Sequence, residues 1–405
     1  MLNVRRSARI SLVSDERATF SLRILTNLSS DVRCEAWDAL VPADQPFLRW
    51  GWLASLEEAR CVGGQSGWSA QHLTLWHGEQ LVGACPLYLK TNSEGEFVFD
   101  HGWAEAAYGA GIEYYPKMLV GVPYTPAAGV RFLVAPEIKR AGIMRALGQA
   151  LRDLCDEHEF SSVHVNFCLD DEADTLREIG FGERLGFQYR WRNPGYGCFE
   201  DWLAALRQKR RKEVRREQRL LGEQGVELRA HWGDEIPDDL FPEMYRLYLT
   251  TVDKYAWGRR YLNEEFFELL RQRFRPHLAF LTAWRGEELL AGTFNVASQD
   301  ALYGRYWGTH EELRFLHFNL CYYQSIEECI QRGIGRFEPG AGGDFKRLRG
   351  FDPEPTRSMH YVREPRFRHA VERFLATERA EVERIIGVLL EHTQNRRDGG
   401  PGAED

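Results

Sequence analysis

The sequence lacks the long apolar runs and compact motifs that mark membrane proteins and many cofactor-dependent enzymes. Its 405 residues contain no stretch of eighteen apolar residues, and the first twenty include arginines but no continuous apolar segment. We therefore expect a cytoplasmic protein without a membrane span. HExxH, Walker GxxxxGK, G-x-S-x-G and Cys/His zinc spacings are absent too. We predict no metal ion, no covalent serine intermediate and no tightly bound cofactor.

The eight cysteines form no CxxC pair, and we interpret them as reduced, mostly buried thiols. A hydrophobic content of 43% in a chain of this length predicts a globular protein with two domains. We expect disordered ends at residues 1–20 and 391–405. The formal net charge of -8 argues against a general nucleic-acid coat, and we expect no DNA partner.

An internal repeat is the most informative feature. "LTLWHGEQLVGA" (Leu73–Ala84) and "LTAWRGEELLAG" (Leu281–Gly292) match at six of twelve positions, 208 residues apart. Each predicts a β-hairpin, followed in both halves by a strand, a helix and a strand. The alternative is a chance recurrence of a tryptophan-containing hairpin. We favour duplication of an α/β domain, with copies at 21–198 and 199–390, each a mixed, mainly antiparallel sheet flanked by helices.

The first copy is longer than the second between its hairpin and its last strand. The additional length is the Gly-, Pro- and Tyr-rich segment "AAYGAGIEYYPKMLVGVPYTPAAG", residues 106–129. Segments of this length without a clear periodic pattern are often functional loops. We expect this one to form an elaborated loop at a substrate mouth.

Several blocks of the sequence resemble a known family. "SSVHVNF", "FQYRWRNPGYGCFEDWLAALRQKRRKEVRRE", "LYGRYWG", "LHFNLCYYQSIE" and "RFEPGAGGDFKRLRGF" are similar to the Fem-like predicted N-acyltransferases, relatives of bacterial peptidyltransferases that add amino acids to cell-wall precursors. The resemblance, clearest over residues 160–360, implies tandem GNAT-like domains. It also implies amide formation between an amine and an activated acyl group, carried by aminoacyl-tRNA or acyl-CoA.

The chain departs from the pattern of these relatives at two places. Relatives read Gly-Ala-Gln-Gly-Glu-His-Lys where residues 340–346 here read Gly-Ala-Gly-Gly-Asp-Phe-Lys, and Asn319 stands where a glutamate is usual. An imidazole and a carboxylate are thus missing from the expected site. These departures leave open a second hypothesis for the function, a non-catalytic protein that binds a phosphorylated or peptidoglycan-like ligand.

The segment Arg207–Arg219 carries eight basic and two acidic residues. It predicts part of an amphipathic helix, 203–221, with a cationic outer face. One alternative is a solvated face balanced by Glu213 and Glu217, and another is a simple RNA-binding factor. We favour phosphate or tRNA contact by Arg207, Arg211, Lys212, Arg215, Arg216 and Arg219.

The sequence also bears on the donor and the site. GNAT enzymes hold the pyrophosphate of CoA with an Arg/Gln-x-x-Gly-x-Gly/Ala loop between the central strand and the following helix. At the two equivalent places, "EIKRAGIM" after "RFLVAP" and "THEELRFLHFN" after "YGRYWG", the sequence does not fit this pattern, which favours aminoacyl-tRNA over acyl-CoA. We predict His317 as the base that accepts a proton from the amine. Period-two alternation places Tyr303, Arg305 and Trp307 on one strand face. The predicted catalytic residues are His317, Arg305, Asp344 and Glu338. The predicted substrate-binding residues are Tyr303, Tyr306, Trp307, Asn319, Tyr322, Lys346, Arg349, Lys254 and Asn166.

Overall fold

The computed structural model describes residues 5–6, 20–254 and 259–393. The predicted tail beyond residue 393 and most of the predicted N-terminal disorder lie outside this part of the chain. The strands are β1 (Arg5–Arg6), β2 (Phe20–Leu25), β3 (Trp68–Ala70), β4 (His72–His77), β5 (Gln80–Cys85), β6 (Leu87–Lys90), β7 (Lys117–Val120), β8 (Leu133–Val134), β9 (Ser162–Cys168), β10 (Gly182–Arg192), β11 (Glu227–Trp232), β12 (Leu278–Arg285), β13 (Glu288–Ala297), β14 (Ala301–Thr309), β15 (Arg336–Glu338) and β16 (Asp352–Val362).

Helices connect and cover these strands. The α-helices are α1 (Leu28–Asp31), α2 (Cys34–Asp38), α3 (Trp50–Glu58), α4 (His101–Gly109), α5 (Arg140–Glu157), α6 (Asp170–Glu178), α7 (Phe199–Ala205), α8 (Gln208–Gly222), α9 (Leu240–Val252), α10 (Glu264–Arg273), α11 (Leu316–Phe318), α12 (Ser325–Gln331) and α13 (Pro365–Glu391). A π-helical turn, Asn319–Gln324, joins α11 to α12. No helix in the described ranges is long and apolar enough to cross a bilayer.

The chain divides into two compact units. Unit 1 comprises the chain up to Gly186 with Arg260–Arg275 and Pro355–Glu383, and unit 2 comprises Phe187–Arg259, Pro276–Glu354 and the chain from Arg384. This division differs from the single boundary after residue 198 predicted from the sequence. Two segments of the second half belong to unit 1, because α10 packs its aromatic side chains on α3 and the end of β16 pairs with β9.

Each unit contains a mainly antiparallel sheet with one parallel pair of strands. In unit 1, strands β1-β2-β4-β5-β8 form one sheet in that order. Strands β3-β6-β7-β9-β16 are neighbours in that order in another sheet, in which β7 and β9 are parallel. In unit 2 the order is β11-β12-β13-β14-β15-β10, with β14 and β15 parallel. The core of unit 2 includes the fully buried Trp191, Trp202 and Phe337.

The two hairpins repeat each other in detail. The register of β4–β5 shifts at Trp76, and that of β12–β13 shifts at Trp284. Each indole nitrogen donates to the threonine two residues earlier, Thr74 (2.9 Å) or Thr282 (2.8 Å). An arginine from the neighbouring strand of the sheet covers each ring, Arg23 of β2 at 4.5 Å and Arg229 of β11 at 5.0 Å. The same bulge with the same polar contacts supports the predicted duplication.

Only part of the extra length of the first copy forms an exposed loop, at residues 110–116. Residues 106–129 supply the end of α4, strand β7 and a segment in which eleven of the residues 121–132 are buried. Strand β7 pairs with β6, and β8 pairs with β5. When 208 is added to the numbers of their partner residues, these become the partners of the first and last parts of β14 in β13. Residues 121–132 therefore stand where unit 2 has only residues 305–307. They are irregular as expected but buried, and their place at a substrate mouth stays a prediction.

Candidate active site

Unit 2 contains a cavity where its two parallel strands diverge. The pairing of β14 with β15 ends at Tyr303 and Glu338, after which the strands separate. A cavity of about 100 Å³ lies at this point, and we call it the β14–β15 cavity. Its lining residues are Thr293, Asn295, Gly304, Arg305, Tyr306, Trp307, His317, Cys321, Tyr322, Phe337 and Pro339. Five of the predicted site residues thus meet: Arg305, Tyr306, Trp307, His317 and Tyr322.

A β-bulge shapes this wall of the cavity. Asn295 pairs with Gly304 and Phe294 pairs with Tyr306, so Arg305 is an extra residue in β14. Because the bulge breaks the period-two alternation, Tyr303 and Trp307 face opposite sides of the sheet, and the predicted common face of Tyr303, Arg305 and Trp307 is wrong. Tyr303 is buried away from the cavity, where its hydroxyl accepts a bond from Arg336 Nη2 (2.9 Å).

His317 lies on α11, directly before the π-helical turn. Its ring centroid is 4.6 Å from that of Trp307 and 5.3 Å from that of Tyr322. Burial among these rings, followed by the charges of Arg349 and Lys346, lowers the pKa of His317 to about 4. The imidazole is therefore neutral near pH 7 and can accept a proton. The π-helical turn carries Cys321 and Tyr322 to the same cavity.

Asn319 and Arg349 support this region. Asn319 is buried, and its side-chain amide donates to the backbone oxygens of Phe315 (3.0 Å) and Glu217 (3.3 Å). Arg349 pairs with the Glu217 carboxylate (3.3 Å) and lies over the ring of Phe318 (3.3 Å). Neither is among the described residues that line the cavity. Their predicted contact with substrate stays a prediction.

The glycine-rich loop after β15 holds Lys346 by its own backbone. The buried ammonium donates to the carbonyl oxygens of Gly340 (2.7 Å) and Ala341 (3.3 Å). Burial lowers the pKa of Lys346 to about 8. Gly340 and Gly343 have φ values of 86° and 85°, which side-chain-bearing residues rarely adopt. Asp344 in the same loop accepts from the Tyr189 hydroxyl (3.4 Å).

Glu338 lies among arginines that sequence analysis did not single out. Its carboxylate is 3.3 Å from Arg190 Nε and 3.1 Å from Arg336 Nε. Glu354 in turn pairs with Arg190 (3.1 Å) and Arg192 (2.6 Å). The charged residues of this cluster alternate with others in "YRWRN" and "GRFEP", and alternate residues of a strand share a face. Arg192 pairs with Arg336 across β10 and β15, which brings the two charged faces together. Recognising it required knowing that these strands are neighbours.

The predicted basic helix is two helices. The chain turns at Leu206, whose ψ of 155° is extended, because Leu203 and Leu206 are both fully buried in the core of unit 2. Helix α8 begins afterwards and buries Val214 and Leu221. Its cationic face is exposed as predicted, although none of its cations is among the described residues lining the β14–β15 cavity.

Acidic side chains balance only part of this charge. Arg215 pairs with Glu200 (2.5 Å), Arg219 with Glu223 (2.6 Å), and Arg210 with Glu213. Within the described residues, the other cations of the segment make no ion pair, and we call them the unpaired α8 cations: Arg207, Lys209, Arg211, Lys212 and Arg216. The alternative of a fully balanced face therefore accounts for part of the segment only.

Two predicted substrate contacts, Lys254 and Asn166, are not among the described residues that line the cavity. Lys254 follows α9, and its ammonium pairs with Glu312 (2.5 Å); the neighbouring Tyr255 lies outside the described residues. Asn166 belongs to β9 of unit 1, where it is buried and its backbone oxygen accepts from Arg131 (2.7 Å). Neither lines the β14–β15 cavity in the described part of the chain.

Comparison with known proteins supplies a family and a fold. The family model FemAB-like, described as peptidoglycan biosynthesis/recognition, matches residues 29–397. No curated protein matches the sequence. The crystal structure of FemX is 11% identical, with 83% of this chain and 98% of that chain covered and a TM-score of 0.51.

Two further solved structures are similar. The C-terminal domain (DUF2156) of a putative lysylphosphatidylglycerol synthetase from Agrobacterium fabrum is 11% identical, with 87% of this chain and 97% of that chain covered and a TM-score of 0.51. A tandem GNAT protein from the clavulanic acid biosynthesis pathway is 14% identical, with coverages of 85% and 99% and a TM-score of 0.43. The predicted fold class, α/β with antiparallel-dominated sheets and helices, is confirmed.

Proposed function

Since the chain belongs to the FemAB-like family of peptidoglycan biosynthesis and recognition proteins, we propose that it is an amide-forming acyltransferase. It transfers an aminoacyl group from aminoacyl-tRNA to an amine acceptor at the β14–β15 cavity. The observation that carries this proposal is the meeting of His317, Arg305, Trp307 and Tyr322 in one small cavity. These residues come from β14, α11 and the π-helical turn, which the fold holds together.

The arrangement suits attack of an amine on an ester. The amine nitrogen forms a bond to the ester carbonyl carbon, and the bond from that carbon to the ribose oxygen breaks. His317, neutral because its pKa is lowered to about 4, accepts the proton that leaves the nitrogen, and the ribose oxygen finally receives it. Burial raises the pKa of the Tyr322 hydroxyl, which therefore stays protonated and can donate to the developing oxyanion.

The unpaired α8 cations support a polyanionic donor. Five cations without an acidic partner in the described chain lie on α8 or, for Arg207, directly before it, and all but the half-buried Arg211 are exposed. Guanidinium and ammonium groups on such a surface bind a phosphate backbone and release its counterions. Helix α8 is also fixed to the site, because Glu217 on α8 accepts from the hydroxyl of Tyr323 in the π-helical turn. These features favour aminoacyl-tRNA over acyl-CoA.

The test supplies each donor separately. Purified protein is incubated with amine acceptors and either aminoacylated total tRNA, deacylated tRNA or acyl-CoA, and amides are detected by mass spectrometry. We expect products with aminoacylated tRNA only. Product from acyl-CoA alone would contradict the choice of donor. Ligand binding without product from any donor would favour a non-catalytic recognition protein. That outcome would agree with the departures from the family pattern at Asn319 and Phe345.

A pair of charge reversals tests the helix. Lys212→Glu with Arg216→Glu should reduce the rate with aminoacyl-tRNA by about tenfold or more at physiological salt, because two phosphate contacts are replaced by repulsion. Lys139→Glu, an exposed charge reversal in unit 1, is the matched control and should leave the rate unchanged. Equal rates for the double variant and the control would remove α8 from donor binding.

A further inference from the structure

Helix α8 carries one acidic side chain, Glu217, that points into unit 2 instead of along the cationic face. Its side chain is 14% exposed, and Arg349 Nη2 lies 3.3 and 3.4 Å from its two carboxylate oxygens. The Tyr323 hydroxyl donates to the same carboxylate, and the backbone oxygen of Glu217 accepts from the Asn319 amide (3.3 Å). Because Arg349 lies outside the segment Arg207–Arg219, this pairing does not balance the cationic face of α8.

Two of the three partners of Glu217 belong to the π-helical turn that supplies a wall of the cavity. Asn319 begins the turn, and Tyr323 is its second-last residue. Between them, Cys321 and Tyr322 line the β14–β15 cavity. Glu217 therefore attaches the turn to α8 near both of its ends, on either side of the residues that face the cavity.

Apolar packing also joins α8 to this region, but it does not fix directions. Leu221 of α8 lies in one apolar cluster with Leu316 and Leu320. Apolar contacts are non-directional, whereas hydrogen bonds and charged pairs restrict the orientation of the groups that make them. π-Helical turns are rare and occur frequently at functional sites. The polar contacts of Glu217 are thus suited to set the direction in which this turn presents its side chains.

We propose that Glu217 is a positioning residue for the reaction at the β14–β15 cavity. It acts through the π-helical turn, which it holds so that the Tyr322 hydroxyl faces the ester carbonyl. This inference rests on the proposed function, in which Tyr322 donates to the developing oxyanion. Since the unpaired α8 cations lie on the same helix, Glu217 also keeps the surface proposed to bind the donor at a fixed place relative to the cavity.

The kinetic test compares Glu217→Gln with Glu213→Gln. Glu213 lies one turn earlier on α8, where it pairs with Arg210, so both substitutions remove one negative charge from the helix. Their effects on KM for aminoacyl-tRNA should therefore be alike. We expect kcat to fall about 10- to 100-fold in Glu217→Gln, since small displacements of catalytic groups cost this much, and to stay at the wild-type value in Glu213→Gln. A wild-type kcat in Glu217→Gln would overturn the inference.

A chemical measurement separates positioning from loss of stability. The protein is alkylated with iodoacetamide, and the rates at Cys321 of the turn and at the buried Cys329 of α12 are followed by mass spectrometry. In Glu217→Gln, Cys321 should react about tenfold faster, the factor expected when a hydrogen bond to a charged group is lost, while Cys329 reacts as in the wild-type protein. Tyr323→Phe, which removes one hydrogen bond to Glu217, should accelerate Cys321 by a smaller factor.

Two results of the alkylation would overturn the inference. One is an unchanged rate at Cys321 in both variants, which would show that the turn does not depend on Glu217. The other is an equal acceleration at Cys329, which would show a general loss of stability. Alkylation needs no substrate, so it also decides the case in which no donor gives product. Selective acceleration at Cys321 would then support the positioning of the turn by Glu217 even though the proposed reaction fails.

Discussion

Two basic side chains of unit 2, the half-buried His317 and the buried Lys346, differ in charge at neutral pH. His317 is surrounded by aromatic rings and two nearby cations, which lower its pKa to about 4 and keep it neutral. Lys346 is buried, and burial lowers the pKa of its ammonium, which donates to two backbone carbonyls, from 10.5 to about 8. The first residue is thus uncharged at neutral pH, and the second retains its charge.

Lys346→Met tests this buried charge. The folded-state pKa lies below the ordinary value of 10.5, so the unfolded chain binds more protons between pH 8 and 10.5, and stability rises with pH there. From pH 7.5 to 9.5 the free energy of unfolding should rise by about 2 kcal/mol more in the wild-type protein than in Lys346→Met. Urea unfolding at both pH values measures the difference. The exposed Lys139→Met should behave as wild type; a parallel pH response in all three proteins would contradict the account.

Among individual residues, the sequence predicted several side chains in loops and strand ends that line the β14–β15 cavity. His317, Arg305 and Tyr322 were predicted and do line one cavity. Sequence reasoning did not find Arg190 or Arg336, because their relation to Glu338 depends on β10 lying beside β15, a pairing between distant parts of the chain. The predicted substrate contact of Asn319, whose side-chain amide donates to backbone oxygens, stays a prediction.

At the scale of elements, the bulge in β14 decides which residues face the cavity. Period-two alternation is a sound expectation for a regular strand, and one extra residue at Arg305 reverses it. The hairpins, helix α5 and strands β9 and β15 follow the sequence prediction, since their hydrophobic patterns are unbroken. The bulge has no comparable pattern, because it depends on how β14 pairs with β13.

Gly308 tests the packing that fixes this strand. A Cβ at Gly308 would lie 1.8 Å from the backbone oxygen of Leu247 in α9, so the helix would have to move away from β14. Gly308→Ala should lower the free energy of unfolding by about 3 kcal/mol. Gly222→Ala is the control, since Gly222 is in α8 with open space around it and alanine favours helix. Urea titration that gives both variants the same midpoint would show that this contact does not fix α9.

At the scale of the whole molecule, one repeated fold holds two unlike units. The hairpin bulges, the tryptophan contacts and the parallel strand pairs recur, and the repeat was visible in the sequence. The difference between the copies was not. Residues 121–132 fill unit 1 at the position that corresponds to the cavity wall of unit 2, and Arg131 donates to three backbone oxygens there. A glycine- and proline-rich composition indicates an irregular segment, but it does not reveal whether that segment is buried.

The rate of amide formation by His317→Gln tests most directly whether His317 accepts the proton from the amine, and His310→Gln is its matched control. Glutamine cannot take up the proton from the amine, and His310 is an exposed histidine seven residues earlier. General-base catalysis by His317 predicts a rate about 100-fold or more below wild type, with His310→Gln unchanged and both variants folded. A wild-type rate in folded His317→Gln would show that the β14–β15 cavity is not where the amine loses its proton.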